Sequence, residues 1–358
     1  MTKAEAEIEK LGKKILNEIR EGKNPSMEVP IRSLGTIRYD ENKKCLVLEK
    51  KIAKRYFFNV SHIRKFVQTV AVASVSKKLI EMGKTSHLRD VYYQLVRTIP
   101  GTNIDLVDDQ SETDRCIEDL ELMTGKLREE LHINAKKSGS VVGNVVIKDQ
   151  GDVIDWSALG SGGWSIPSNV ENIEFKKVDA DYVIYMEKES VWERLHEDRV
   201  WKKLNCIIMC SLGQTTRGIR RLLQRLNKEH GLPILVLVDF DPWGYYIYSV
   251  LKYGSINLAH LSEKLCVKNA KFLGITADDI ERYNLKKHFI RLKDRDIKRI
   301  DELLNYPWFK GKKVWERQLN MMKKFKAKVE IQSLSSRGLT FISERYLPEK
   351  IKNEDWLD

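Results

Sequence analysis

Three short apolar runs in the second half of the chain constrain the fold more than any other feature. They cover residues 182–186, 206–209 and 234–238, and segments with helical spacing, 191–195 and 217–228, lie between them. Strands that are apolar on both faces are typical of a parallel sheet with helices on each side. The sequence therefore predicts an α/β fold here, followed by a helical and strongly basic C-terminal third.

The N-terminal segment predicts one helix and one hairpin. Residues 3–21 place Ile8, Leu11, Ile15 and Ile19 at helical spacing among Glu and Lys. Residues 28–51 alternate around a polar turn at 40–44, which indicates a hairpin. The apolar stripe of the helix has two interpretations that stay open, packing on its own chain and docking in the groove of a partner.

The next segment has the outline of a helix-turn-helix unit. A strong helix is predicted over residues 62–82, and a short turn at 84–86 offers an N-cap for a second helix from about His87. A third helix near 112–130 precedes a β-hairpin within 138–156. Helices followed by a hairpin wing predict a winged-helix domain that ends near residue 150.

Length and charge limit the classes of partner and compartment. The chain of 358 residues is long enough for two domains, and the order of the predicted elements indicates an extension at 1–60, a winged-helix domain at 61–150 and a larger domain at 151–358. A net charge of +12 favours nucleic acid first and an anionic membrane surface second. The five scattered cysteines lack CxxC spacing, and no apolar stretch approaches the roughly 20 residues of a membrane span. We therefore expect a cytoplasmic protein with no membrane partner.

A tyrosine on the second helix of the helix-turn-helix is a candidate nucleophile. Leu88, Val91, Tyr92 and Leu95 form one apolar stripe, and Tyr93 is turned about 100° from Tyr92. Four residues before and after it stand Arg89 and Arg97, so a phenol and two guanidiniums share one predicted face. Such a face suits phosphodiester transesterification, but spacing alone favours simple contacts with DNA phosphates or solvent.

Three carboxylates follow predicted parallel strands. Glu187 ends the first apolar run, and Asp239 and Asp241 end the third. Because the carboxyl ends of parallel strands meet at one crevice, we expect these acids to lie close together. Oxygen ligands of this kind suit Mg²⁺ and phosphoryl chemistry. A lone Asp-x-Asp is also common as a turn or a helix cap.

The helix predicted over 217–228 carries a face without any acidic residue. The basic residues on it are Arg217, Arg220, Arg221, Arg225 and Lys228. A purely basic face predicts a surface that follows DNA phosphates, with an ordinary solvated face as the alternative.

Four motifs together resemble the A subunit of DNA topoisomerase VI, a family that includes the meiotic double-strand-break protein of eukaryotes. They are LRDVYYQ at 88–94, YMEKESVWERL at 185–195, SLGQTTRGIRRLL at 211–223 and VDFDPWG at 238–244. The resemblance runs from about residue 25 to the end of the sequence. It departs at Thr215, where members commonly have proline, and this puts the predicted conformation of that loop in doubt.

The resemblance implies a fold and a set of roles. The expected fold is an α/β multidomain protein, in which a winged-helix (CAP-like) domain precedes a toprim, Rossmann-like domain. Tyr93 is the implied nucleophile and Arg89 its supporting arginine, while Glu187, Asp239 and Asp241 are the implied metal ligands.

The resemblance also implies an activity and an assembly. A homodimer of A subunits cuts both strands of double-stranded DNA through 5′-phosphotyrosyl links, and it joins an ATP-binding B subunit in an A2B2 heterotetramer. The chain has no GxxxxGK[ST] loop of its own. We expect the enzyme at the nucleoid. The alternatives are a non-catalytic winged-helix DNA-binding protein, a hydrolytic toprim nuclease and a programmed-break protein of the same family.

Overall fold

The computed structural model describes residues 2–213 and 215–358, apart from the side chain of Leu34. Within that part, the chain divides into two units. The first comprises residues 1–38 and 48–136, and the second comprises residues 39–47 and 137–358.

Helices dominate the first unit. The elements up to residue 136 are α1 (Lys3–Arg20), β1 (Ser26–Pro30), β2 (Ile37–Asp40), β3 (Cys45–Leu48), β4 (Ile52–Tyr56), α2 (Ile63–Glu81), β5 (Ser86–His87), α3 (Leu88–Leu95), α4 (Gln110–Thr124) and β6 (Ile133–Asn134). β1 pairs with β4 antiparallel, and β5 pairs with β6 parallel. β2 and β3 form the predicted hairpin around the 40–44 turn.

The N-terminal helix packs largely on its own unit. α1 begins with a capping box, in which Thr2 and Glu5 satisfy each other's backbone N–H groups. Ile8 is buried in a cluster with side chains of α2, α3 and α4, and Leu11 packs against the same cluster. Packing on the helix's own chain is therefore confirmed for this half of the stripe, whereas Ile19 near the end of α1 stays exposed.

The predicted succession of helix, turn and helix is present. α2 ends before Gly83, whose φ of 61° lies in the left-handed region that glycine adopts without strain. The prediction that the turn at 84–86 supplies the N-cap of the next helix is wrong. His87 is the N-cap of α3 and makes no capping hydrogen bond through its side chain, while Ser86 lies in β5, where its backbone N–H donates to the His132 carbonyl.

The three apolar runs form adjacent parallel strands in the second unit, as predicted. Its strands are β7 (Ser140–Val142), β8 (Val145–Asp149), β9 (Asp152–Asp155), β10 (Trp164–Ser165), β11 (Glu174–Val178), β12 (Tyr182–Met186), β13 (Cys206–Cys210), β14 (Ile234–Leu237), β15 (Lys271–Phe272), β16 (Ile290–Arg291) and β17 (Ala327–Lys328). In the described residues the main sheet has the order β10-β7-β13-β12-β14-β15. β12 lies between β13 and β14 and runs parallel to both.

Helices of the second unit pack on this sheet and on one another. They are α5 (Glu189–Glu197), α6 (Val200–Lys203), α7 (Arg217–His230), α8 (Pro242–Tyr253), α9 (Ser262–Leu265), α10 (Ala277–Arg282), α11 (Asp294–Leu304), α12 (Lys313–Phe325) and α13 (Leu347–Lys352). The stripe of α7 buries Ile219, Leu222, Leu223 and Leu226. Among the residues that the structure describes, no helix has both the length and the apolar composition needed to span a membrane.

The predicted hairpin after the third helix is also present, as β8 and β9. β8 pairs in addition with β11, and all three strands belong to the second unit. The boundary predicted near residue 150 thus falls inside this unit, and the assignment of domains at 1–60, 61–150 and 151–358 stays a prediction.

Candidate active site

The orientation of the two tyrosines on α3 follows from the helical period. Val91 and Leu95 are buried, and Tyr92 packs against the same cluster, where its hydroxyl donates to the Asp108 carbonyl at 3.4 Å. Tyr93 is turned away and is 58% exposed. The predicted orientations of both side chains are therefore confirmed, and the phenol that faces solvent is the one in a position to reach a phosphate.

One guanidinium lies against this phenol. Arg89, one turn earlier on α3, donates from Nη2 to the Tyr93 hydroxyl oxygen at 3.4 Å, and its Cζ lies 5.8 Å from the ring centroid. The hydrogen bond to Tyr93 raises the pKa of Arg89, so the group stays charged. A fixed positive charge at this place stabilises negative charge on the phenolic oxygen or on a phosphate that it attacks.

Arg97 does not share that face. α3 ends at Leu95, and the C-cap Val96 has extended backbone with ψ of 90°. The prediction that Arg97 stands one helical turn after Tyr93 is therefore wrong, because the helix has ended before that turn is completed. Arg97 lies in the following loop, where its carbonyl accepts the N–H of Leu106 at 2.9 Å.

The three predicted acids lie at the carboxyl ends of neighbouring strands. β12 ends at Met186, which is in register with Leu237 at the end of β14. Glu187 directly follows the first of these strands, and Asp239 and Asp241 follow the second. The predicted convergence of the acids is thus confirmed at the level of the sheet, and it results from the parallel pairing of β12 with β14.

Charge at this edge of the sheet is poorly compensated. Burial raises the pKa of Glu187 to about 7, and the charges of Asp241 and Asp239 add to the rise. Burial also raises the pKa of Asp241 to about 6, against the lowering effect of its hydrogen bond from the Gly244 N–H. Carboxylates that hold protons near neutral pH in a crevice mark a place that favours a cation.

Asp239 is held at both carboxylate oxygens. Its Oδ1 accepts the backbone N–H of Ile331 at 2.9 Å, and its Oδ2 lies 2.8 Å from Nζ of Lys188. The same ammonium lies 3.2 Å from Oε2 of Glu330 and donates to Oε1 of Gln332 at 2.9 Å. Burial nevertheless raises the pKa of Asp239, since the desolvation of its charge outweighs the attraction of the lysine.

Asp241 serves as the N-cap of α8. Its Oδ1 accepts the N–H of Gly244 at 2.6 Å, and its Oδ2 lies 3.7 Å from Nζ of Lys328. A Cβ on Gly244 would lie 2.9 Å from the carbonyl oxygen of Asp239 and 3.2 Å from Oδ1 of Asp241. Glycine in the DPWG motif is therefore required by the close approach of the helix to the acidic loop.

The donor chemistry of these residues fits a hard divalent cation, although they do not form a closed cage. In residues 2–213 and 215–358, no three side chains of His, Cys, Asp or Glu are arranged as a group that could hold a metal ion. Asp239 is turned to Ile331 and Lys188, and Asp241 is turned to the end of α8. The uncompensated charge at Glu187 and the oxygen-only donors still match Mg²⁺.

The basic face predicted on α7 is not an exposed surface. Arg220 is 2% exposed, and Arg225 is buried, where it bonds the Val170 carbonyl and donates from Nε to Glu229 at 2.7 Å. Arg221 donates from Nη2 to Glu171 at 2.8 Å. The prediction of a continuous phosphate-tracking face is therefore wrong, because much of it packs inside the second unit. Gln214 of the preceding motif lies outside the described residues.

Sequence reasoning missed the lysines of the acidic site. Lys188 stands directly after Glu187 in the YMEKE motif. The sequence therefore predicts its place beside the acids, but it does not predict its contact with Asp239. Lys328 and Glu330 come from the far end of the unit and reach the site through the backbone bridge between Phe240 and Val329. No spacing in the sequence predicts that bridge.

Family models cover most of the chain in three consecutive parts. Residues 64–133 match the model described as type IIB DNA topoisomerase, and residues 136–179 match an all-beta domain in the DNA topoisomerase VI alpha subunit. Residues 182–351 match the Toprim domain that represents both Spo11 and the A subunit of topoisomerase 6.

Curated relatives match along nearly their whole length. The A subunit of type 2 DNA topoisomerase 6 from Pyrococcus abyssi is 47% identical over 355 residues, which cover 96% of this chain and 93% of the relative. The protein of the same name from Hyperthermus butylicus is 42% identical, over 97% of this chain and 94% of the relative. The one from Methanocaldococcus jannaschii is 37% identical, over 99% of this chain and 96% of the relative. The chain is an α/β multidomain protein that belongs to the family of DNA topoisomerase VI A subunits.

Proposed function

We propose that this chain is the DNA-cleaving and resealing subunit of an ATP-dependent type IIB DNA topoisomerase. The observation that carries the proposal is the exposed Tyr93 hydroxyl with the Arg89 guanidinium 3.4 Å away. It lies in the region that matches the type IIB topoisomerase model. The names of the relatives support the same activity.

Tyr93 and Arg89 act together in the proposed reaction. The Tyr93 oxygen attacks a backbone phosphorus, its proton passes to solvent, and the bond from phosphorus to the 3′ oxygen breaks. The 3′ oxygen takes up a proton, and the 5′ phosphate remains on the tyrosine as an ester. Arg89 stabilises the negative charge that develops at the phosphate. The reverse reaction reseals the strand, because the phosphotyrosyl bond retains the energy of the original linkage.

The acidic edge of the second unit is the proposed magnesium site. Glu187, Asp239 and Asp241 supply the oxygen donors, and the match to a Toprim domain supports a divalent cation there. When bound, Mg²⁺ supplies positive charge to phosphate oxygens near the break. Burial and the charges of Asp241 and Asp239 raise the pKa of Glu187 to about 7, so a bound cation would favour its charged form.

DNA contacts are proposed in both units. The first unit is the proposed winged-helix domain, since α2, the turn at Gly83 and α3 have the outline of a helix-turn-helix. Arg97 stands in the loop after α3, and Arg217 and Arg221 stand near the start of α7. They remain proposed DNA contacts, whereas the buried position of Arg220 favours a structural role.

The proposed assembly is an A2B2 heterotetramer, in which a homodimer of this chain binds two ATP-binding B subunits. Its proposed location is the nucleoid, in the cytoplasm. The relatives are named as one subunit of their enzyme, which supports a further subunit. In the first unit, an apolar groove of about 650 Å³ lies beside the end of α1. Ile15, Ile19, Phe57 and Phe58 line it. The ATP-binding subunit is the proposed occupant of this surface.

The test is the chemistry of the broken ends. Supercoiled DNA is incubated with the full chain and the ATP-binding subunit, the reaction is stopped with detergent, and DNA bound covalently to protein is recovered. A topoisomerase gives adducts at 5′ ends with free 3′ hydroxyls. Breaks without adducts would instead indicate a hydrolytic nuclease, and retention of DNA without breaks would indicate a non-catalytic DNA-binding protein.

A further inference from the structure

The ammonium of Lys188 lies within the acidic site and contacts two of its carboxylates at once. It is 2.8 Å from Oδ2 of Asp239 and 3.2 Å from Oε2 of Glu330, and Gln332 accepts a further hydrogen bond at 2.9 Å. Three acceptors therefore match the three N–H groups of an ammonium. The side chain is partly buried, so this arrangement is a built site rather than a surface pair.

Occupation of Asp239 by an ammonium conflicts with occupation by a metal ion. Oδ1 of Asp239 already accepts the Ile331 N–H, and Oδ2 carries the charge-assisted hydrogen bond from Lys188. A divalent cation bound to Oδ2 would approach the ammonium to within the range of strong repulsion. This repulsion disfavours occupation of that oxygen by both cations at once.

Lys188 has a second partner within reach. The carboxylate of Glu330 is about half exposed, and its Oε2 lies 3.2 Å from the same ammonium. A small rotation of the lysine toward Glu330 keeps one ion pair and frees Oδ2 of Asp239. Lys328, the other lysine near the acids, lies 3.7 Å from both Asp241 and Asp296, beyond hydrogen-bond distance.

We propose that Lys188 is a positioning residue that neutralises Asp239 while the site lacks metal and moves to Glu330 when a divalent cation binds. The inference rests on the proposed magnesium role of Glu187, Asp239 and Asp241. It accounts for the lack of a closed three-acid group in the described part of the chain, since one acid is engaged by the lysine. Lys188 thereby sets the metal affinity of the site, because it competes with the cation for Asp239.

Binding of Mn²⁺ to the metal-free full chain tests this, with the free ion counted by electron paramagnetic resonance. Lys188→Met keeps the length of the side chain and removes the ammonium. Its dissociation constant for Mn²⁺ falls about tenfold, the change expected when one charge-assisted hydrogen bond no longer has to be broken. Glu330→Gln removes the alternative partner and raises the dissociation constant about threefold, the scale of a partly exposed ion pair.

The double variant separates movement of the lysine from simple electrostatics. If Lys188 moves to Glu330, then Glu330→Gln has no effect on Mn²⁺ binding in the Lys188→Met background. Additive effects of the two substitutions would overturn the proposal, because they would mean that both charges act on the metal independently. A weaker affinity of Lys188→Met would overturn it as well.

Control variants distinguish a failure of the proposed Lys188 movement from a failure of the proposed metal site. Lys176→Met removes a lysine that pairs with Glu174 on β11 and should leave the Mn²⁺ affinity unchanged. Circular dichroism verifies that each variant is folded. Because Glu330 is about half exposed, the Glu330→Gln substitution should leave folding unaffected. If Glu187→Gln and Asp241→Asn fail to weaken Mn²⁺ binding, the proposed metal site is wrong, whatever the Lys188 variants do.

Discussion

Replacing Glu187 with glutamine should stabilise the metal-free chain at neutral and alkaline pH. Burial and the neighbouring Asp241 and Asp239 raise the pKa of Glu187 from 4.5 to about 7 in the folded chain. As the pH rises from 4.5 to 7, the unfolded chain loses this proton while the folded chain retains it. The wild type therefore loses stability through that interval, and the loss is constant above it.

The pKa values set the size of the effect. Each pKa unit corresponds to about 1.4 kcal/mol, and solvent screens part of the effect because Glu187 is only partly buried, so Glu187 costs the wild type at most about 3 kcal/mol of unfolding free energy at pH 8 and at most about 1 kcal/mol at pH 5. Glutamine has nearly the same shape and carries no charge at either pH. The variant should exceed the wild type by these amounts, and saturating Mg²⁺ should reduce the difference because the cation compensates the carboxylate.

Guanidinium unfolding, followed by tryptophan fluorescence at pH 5 and pH 8 in the presence of a chelator, measures both differences. Glu197→Gln is the matched control, because Glu197 is an exposed residue of α5 that pairs only with Arg194 among the described contacts. It should change the unfolding free energy little at either pH. Equal stabilities of Glu187→Gln and wild type at pH 8 would refute the reasoning about the uncompensated charge.

Three further outcomes follow from the structure. Gly244→Ala should weaken Mn²⁺ binding in a calorimetric titration, because its Cβ would lie 2.9 Å from the Asp239 carbonyl oxygen. Lys350→Met should lower the unfolding free energy by about 3 kcal/mol, since it removes the buried ammonium 2.8 Å from the buried Asp279 carboxylate and leaves Arg282, 3.9 Å away, as the remaining cation; Asp279→Asn in addition should recover part of the loss. Arg217→Gln should reduce the slope of log affinity for DNA against log salt by about 0.9, provided that it contacts one phosphate.

The second unit was the more predictable part of the fold, and the reason is local. Residues 182–186 are apolar at every position, so a fully buried parallel strand is the arrangement that satisfies them, and Glu187 must then emerge at its carboxyl end. The orientation of Tyr93 was predictable for a similar reason, because the helical period assigns Val91 and Leu95 to the core and leaves Tyr93 outside.

The errors arose where a side chain's partner is distant in sequence or where an element ends. Arg220 has no acidic neighbour on its helix, so its burial depends on packing that no periodicity reveals. The predicted position of Arg97 on the same helical face as Tyr93 was wrong because α3 ends at Leu95, and the ends of helices are poorly marked in sequence. Lys188 contacts Glu330, which is far away in sequence, and the backbone bridge between Phe240 and Val329 that brings Glu330 to the site has no local signal in the sequence.

The central claim, that Tyr93 forms the covalent link to DNA, is tested most directly by identifying the modified residue. Adducts trapped from cleavage by the chain together with the ATP-binding subunit are digested with nuclease and protease, and the nucleotide-bearing peptide is sequenced by mass spectrometry. We expect a 5′-phosphonucleotide on Tyr93, with no adduct in Tyr93→Phe and an unchanged adduct in Tyr92→Phe. A nucleotide on Tyr92 or on any other residue, or an adduct that persists in Tyr93→Phe, would contradict it.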